Sequence, residues 1–322
     1  MTPPGKAQGR PVKPAKTLAR AMKNPEAMIA PLLGRYLAVL ANAMAANGAL
    51  IKAQGGNVEA LHQLRVAMRR ARAMVKHLGS YLPPVFVRIC RRELRWASRQ
   101  SSLARDLDVH LADLDKTAGD APAALRQRLV QQRQAAYRRL LRMLTAKRFA
   151  NLCARLGTTG GGQRAGVPLH VAATRALAKA HRRMIRRGRA ITPESPDAAV
   201  HDVRKRAKEL RYGLEFFAPL FDPGTMEAQL GQLRALQEVL GAFQDCCVQR
   251  AALQDFAARL GEKPDAAPEA LRAIECLIAQ RTIQATRLRR GFQTVFKRYD
   301  GKKNTKNFNL MLRSIEDFSQ EA

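Results

Sequence analysis

His62-Gln63-Leu64-Arg65-Val66-Ala67-Met68-Arg69-Arg70-Ala71-Arg72 decides the architecture, because its frame occurs twice. It returns 139 residues later as His201-Asp202-Val203-Arg204-Lys205-Arg206-Ala207-Lys208-Glu209-Leu210-Arg211. The same offset carries Asp106 onto Asp245 without a gap. One basic cluster means little in so Arg-rich a chain, but His, three basic positions and a distant Asp in one register indicate an internal duplication. On a helix turning about 100° per residue, offsets of 0, 3, 7 and 10 fall near 0°, −60°, −20° and −80°. The four side chains therefore share one narrow stripe, suited to an extended anion.

Lys76 falls inside the first stripe, and the segment 62–77 contains no acid. Leu64, Met68, Ala71, Val75 and Leu78 form an apolar arc beside it, matched in the second copy by Val203, Ala207, Leu210, Leu214 and Phe217. The copies differ: Glu215 stands where Lys76 does, and Lys205 widens the second stripe. Arg70 lies off the stripe and is expected to matter less. The next helix presents Arg88, Arg91, Arg92, Arg95 and Arg99 on one face, and Arg175, Lys179, Arg182, Arg183 and Arg186 make another. Solvated helix faces usually mix both signs, because Glu–Lys pairs four apart support the helix. Like charges at that spacing cost stability unless an anion neutralises them.

The sequence has 57 Lys and Arg against 26 Asp and Glu, a formal charge of +31, which attracts polyanions and steers them in. Nucleic acid, anionic membrane and inorganic polyphosphate are the classes to separate. With 322 residues and 46% hydrophobic composition the chain can bury a sizeable core. No segment alternates with period two, so the periodicity predicts an all-α protein of antiparallel helix bundles. Helices are expected at about 25–52, 58–79, 84–104, 106–118 and 122–156, then at about 168–190, 197–218, 224–243, 245–261, 267–298 and 305–319. Asn57 and Ser195-Pro196 mark helix starts. The Gly-rich stretch 157–167 reads as the linker between halves 25–156 and 168–318, and residues 1–24 as a basic disordered tail.

Five cysteines with no C-x-x-C pair favour buried, reduced thiols in a cytoplasmic setting. The most apolar stretch, Tyr36 to Ile51, is shorter than a membrane span, so no membrane partner is expected. Asp106, Asp108 and His110 invite a metal reading, but no further carboxylates complete an oxygen-rich site. No metal and no cofactor are expected. An acceptor for a basic side chain, or a helix cap, suits these aspartates better. No phosphate loop, nucleophile elbow or zinc-protease motif is present, which argues against an enzyme.

At His62-Gln-Leu-Arg65-Val-Ala-Met-Arg69, Ala104-Arg105-Asp106-Leu-Asp108, His201-Asp-Val-Arg204 and Leu240-Gly241-Ala-Phe-Gln-Asp245, the chain resembles the CHAD family, the conserved histidine α-helical domain. The resemblance covers about residues 25–318. Ser101-Ser102 stands where the second half has Leu240-Gly241, and Gln244 stands where the first has Arg105. The resemblance implies two pseudo-symmetric four-helix bundles around a basic central groove or pore. It also implies a bacterial or archaeal, cytoplasmic, non-enzymatic protein that binds inorganic polyphosphate and associates with polyphosphate granules. The expected ligand contacts are His62, Arg65, Arg69, Arg72, Lys76, Arg95, Arg99, His201, Arg204, Lys205, Lys208 and Arg211, with Asp106 and Asp245 orienting them. Nucleic acid is the alternative partner, opposed by 5% aromatic residues and a single Trp96.

Overall fold

The computed structural model describes residues 10–115, 123–158, 166–261 and 268–317. Among these the chain forms ten α-helices, two short 3₁₀ turns and no strand, as the periodicity predicts. The helices are α1 (Ile29–Ala53), α2 (Val58–His77), α3 (Pro84–Leu114), α4 (Ala123–Thr145) and α5 (Lys147–Gly157). They continue as α6 (Leu169–Arg189), α7 (Asp197–Phe217), α8 (Pro223–Gly261), α9 (Pro268–Tyr299) and α10 (Lys302–Asp317).

Where the pattern carried clear punctuation, the helices start as expected. The Asn57 side chain accepts from the Ala60 N–H at 2.7 Å and caps α2, satisfying one of the first turn's orphan donors. Before it, Gly56 adopts φ 138° against the Tyr137 ring, where an added Cβ would come within 2.9 Å of the ring edge.

Three breaks between helices differ from the expected ones, and α1 and α10 start four residues later and three earlier than expected. The break expected near residue 105 is absent, and α3 runs through it unbroken. Nothing there forbids a helix: the Ser101 and Ser102 hydroxyls bond back to the Ser98 carbonyl instead of competing with the ladder. The break expected near 244 is likewise absent from α8. Conversely, 122–156 is interrupted at Ala146, whose extended backbone (ψ 135°) separates α4 from α5. Packing overrides the helix propensity of alanine here, because the turn lets Phe149, Leu152 and Leu156 become buried. Residues 116–118, expected to be helical, and 159–165 of the expected linker lie outside the described residues.

The chain divides into two compact units that depart from the contiguous halves expected. The first holds 28–109 and 130–167 together with 1–16; the second holds 168–322 together with 17–27 and 110–129. For segment 110–129 the physical reason is the continuity of α3 past residue 105, since an unbroken helix of 31 residues, about 46 Å long, carries the chain onward.

In the first unit α1 packs against α2 and α5. Leu33, Leu37, Leu40 and Met44 of α1 and Leu61, Leu64, Ala67 and Val75 of α2 are fully buried. By length and composition α1 does qualify as a possible membrane span, contrary to the reading of Tyr36–Ile51; in the fold it serves as a core helix, with 61% of its apolar window buried. In the second unit α7 packs against α6 and α8, and α8 against α9. Val203, Ala207, Leu210, Leu214 and Phe217 are all at 0% exposure, which fixes the outward direction of the basic stripe on α7.

Of the expected loose tail, residues 1–9 lie outside the described residues, and 10–24 are held by specific contacts. Asn47, itself buried, holds both the N–H and the carbonyl of Val12, and Tyr36 OH donates to the Ala15 carbonyl at 3.0 Å. Thr17 Oγ1 donates to the Phe216 carbonyl, and Met22 is fully buried. Arg70 belongs to this packing too. It is 4% exposed and donates to Ala15 O at 2.7 Å, so it is a structural residue and not a dispensable surface charge.

Candidate functional site

On α2, Arg65 is half-buried and turned toward α3, where its Nη1 donates to Ser101 Oγ (2.9 Å), Ser102 Oγ (3.2 Å) and Ser98 O (3.2 Å). Burial, reinforced by Arg69, Arg105 and Arg72 and opposed by Asp106, pulls its pKa down to about 10. This guanidinium sits among cations with only neutral oxygens hydrogen-bonded to it, and an anion would relieve that. Arg69 is also half-buried, and its Nε has no acceptor among the described residues. Arg72 and Lys76 project to solvent farther along the stripe. The His62 imidazole is pushed below its usual value by burial first and by Arg105 next, with Glu59 opposing. The stripe therefore groups as expected, and it acquires Arg105 from α3.

On α7 the geometry is related but more compensated. His201 Nδ1 pairs with Gln244 Oε1 of α8, so Gln244 supports the histidine where the first unit has Arg105. Burial lowers the His201 pKa, and Lys205, Arg204 and Lys208 add to that against the Gln244 bond. The Arg204 guanidinium passes over Gly241, 3.9 Å from where a Cβ would stand. Lys205 Nζ lies 3.5 Å from Asp202. Arg211 donates through Nε to the buried Glu215 (2.8 Å) and through Nη1 to Gln237 (3.0 Å). The far end of this stripe is thus internally neutralised by Glu215.

The two aspartates are exposed on α3 and α8. Asp106 favours the charged form of Arg65, in keeping with an orienting role, while Asp245 acts on the neighbouring Cys246 thiol. Asp108 is an acceptor for a basic side chain, as expected, and not a cap: it is buried, accepting Arg133 Nε at 2.7 Å and Tyr137 OH at 2.8 Å. Among the described residues no group of three His, Cys, Asp or Glu is placed to hold a metal. All five cysteines are free thiols; Cys90 and Cys246 are buried, but Cys276 is exposed, against the expectation of buried thiols.

Arg95 and Arg99 stand on the exposed face of α3, in a cleft of about 1040 Å³ that also takes in Arg88, Arg91, Trp96 and Arg148. None of the α2 stripe lines this cleft. Two features of the site escaped the sequence reading. The cradle of Arg65 did carry a signal in the paired hydroxyls of Ser101 and Ser102, while the Ser98 carbonyl that completes it carried none. Arg148 carried none, because only folding brings α5 to α3, where its guanidinium lies 4.2 Å from the Trp96 ring centre.

The family model for the CHAD domain matches residues 35–254 of the chain. Among solved structures, the fold is similar to the CHAD domain from the plant Ricinus communis, at 23% identity and a TM-score of 0.67 over 91% of this chain and 96% of that one. It is also similar to PptA from Streptomyces chartreusis, at 22% identity and a TM-score of 0.63 over 84% of this chain and 100% of that one. The plant source of the first corrects the expectation that such domains are confined to bacteria and archaea. No curated protein matches.

Proposed function

The chain belongs to the CHAD family, and on that premise we propose that it binds inorganic polyphosphate without transforming it. The reading assigns phosphate contact to His62, Arg65, Arg69, Arg72 and Lys76 of α2 and to His201, Arg204, Lys205, Lys208 and Arg211 of α7. Arg95 and Arg99 extend the first set. The observation that carries it is the state of Arg65, a half-buried guanidinium near Arg69, Arg105 and Arg72, whose charge Asp106 offsets only in part and whose hydrogen bonds all go to neutral oxygens. Such a charge is costly in the free protein and is offset when phosphate oxygens approach. From Arg65 to Lys76 the stripe runs about 16 Å, enough for several phosphates of a chain. Guanidinium forks suit bidentate contact with phosphate oxygens. On this reading the protein works in the cytoplasm at polyphosphate granules.

Competition tests the proposal. Long-chain polyphosphate should displace single-stranded DNA of matched charge at the same salt, and Arg65→Ala combined with Arg204→Ala should abolish the preference. Equal or better competition by DNA would transfer the site to nucleic acid. Turnover of polyphosphate that is lost in His62→Ala would instead make the protein an enzyme.

A further inference from the structure

The cleft on α3 has a lining that a chain of bare phosphates does not call for. Arg88, Arg95 and Arg99 are exposed along it, and among the described residues none of the three has a protein acceptor. No acid lines it. Yet Leu82, Val87 and Trp96 also face the same space, and Leu82 is otherwise buried. Arg148 covers the Trp96 ring with its guanidinium and is held there by its Nε, which donates to Glu93. Glu93 is 7% exposed and accepts from Arg92 through its other oxygen at 2.6 Å. The planar pair of indole and guanidinium is therefore fixed before any ligand arrives, which lowers the ordering cost of binding.

We propose that this cleft is a site for a nucleoside polyphosphate, its phosphates on Arg88, Arg95 and Arg99 and its base stacked on the Arg148–Trp96 pair. A nucleobase has a flat π-face, and such faces stack on indole rings and on guanidinium planes. The volume, about 1040 Å³, lies at the upper end of the roughly 300–1,000 Å³ usual for small-molecule pockets. The proposal does not rest on the polyphosphate reading, although the two share Arg95 and Arg99.

ATP and inorganic tripolyphosphate, compared by calorimetry without divalent metal, separate the base from the phosphates. Tripolyphosphate has one more ionisable terminal oxygen, so charge alone makes it the tighter ligand. The proposal expects the reverse, with ATP favoured by about tenfold, a typical worth of one stacked base. Trp96→Leu should abolish that preference, and Trp96→Phe, which keeps a ring, should retain most of it. Because Trp96 is the only tryptophan in the chain, saturable quenching of its emission by ATP would place the ligand here. Equal or weaker binding of ATP in the unaltered protein overturns the proposal whatever the variants do, as does binding that leaves the emission unchanged. Long-chain polyphosphate binding that survives Trp96→Leu but not Arg65→Ala with Arg204→Ala would keep the two sites distinct. The proposed function could then stand while this one falls.

Discussion

At the scale of single residues, the environment of Arg65 depends on three hydroxyl or carbonyl oxygens, of which Ser101 Oγ is the nearest and fully buried. Ser101→Ala should lower stability to urea by about 1.5–3 kcal/mol, the cost of removing a hydrogen bond to a charged group. An unchanged midpoint would mean that solvent already satisfies the guanidinium. His181 makes a different case. It stacks on Phe308 with ring centres 4.1 Å apart, its Nε2 has no partner among the described residues, and burial lowers its pKa to about 4. The unfolded chain, with an ordinary histidine near 6.5, therefore binds the proton more readily than the fold does. Stability is fully present above pH 6.5 and is lost as pH falls toward 4. His181→Phe should abolish a loss on the order of 2–3 kcal/mol across that window, read as the difference between the two proteins' denaturation curves. Identical slopes would show the ring to be solvated. The sequence announced the stripe residues through their repeat, but not these two environments. Burial at Ser101 and His181 is set by residues far away in the chain, and one sequence carries no sign of them.

At the scale of elements, α2 and α7 were readable because each pairs an apolar arc with a basic stripe, and every residue of both arcs is buried. Helix starts were readable where a cap or a proline punctuated the pattern, as at Asn57 and Pro196. Charged residues such as Arg105 and Asp106 interrupt the apolar pattern without interrupting the helix, so α3 looked like two pieces. Leu103→Pro tests the point, since the side chain is 47% exposed and loses little packing. In a continuous helix the missing N–H and the ring clash should cost about 3 kcal/mol or more, with a matching loss of thermal stability. A tolerated proline would restore the two-helix reading. The split at Ala146 is the converse, where burial of Phe149 decides against a run that propensity alone would extend.

At the scale of the whole molecule, a formal charge of +31 works against compactness in the free protein and toward association with polyanions. Raising salt about tenfold should therefore raise the melting temperature of the free protein while weakening polyphosphate binding, since screening and counterion release act in opposite senses on the two. A melting temperature that ignores salt would mean that the arginines are already neutralised within the fold. The charge excess itself is legible in composition alone. Composition does not foretell which segments join which unit, as 17–27 and 110–129 join the second.

The joining of segments 17–27 and 110–129 to the second unit has a consequence for how the chain tolerates being cut. A nick in 159–165 leaves nearly all of the first unit in the N-terminal fragment but strips the C-terminal fragment of two segments of the second unit. The C-terminal piece would lack Asp113, which accepts from Arg281 at 2.9 Å and from Gln249 at 3.1 Å, and would leave a buried amide and a half-buried guanidinium without that acceptor. The N-terminal piece would carry Leu125 and Leu129 away from their packing. Such fragments belong to the kind that recover their structure by complementation, the N-terminal one supplying the segments that the C-terminal one is missing, and the gene for such a protein resists being divided or shuffled at the place where its sequence looks most divisible.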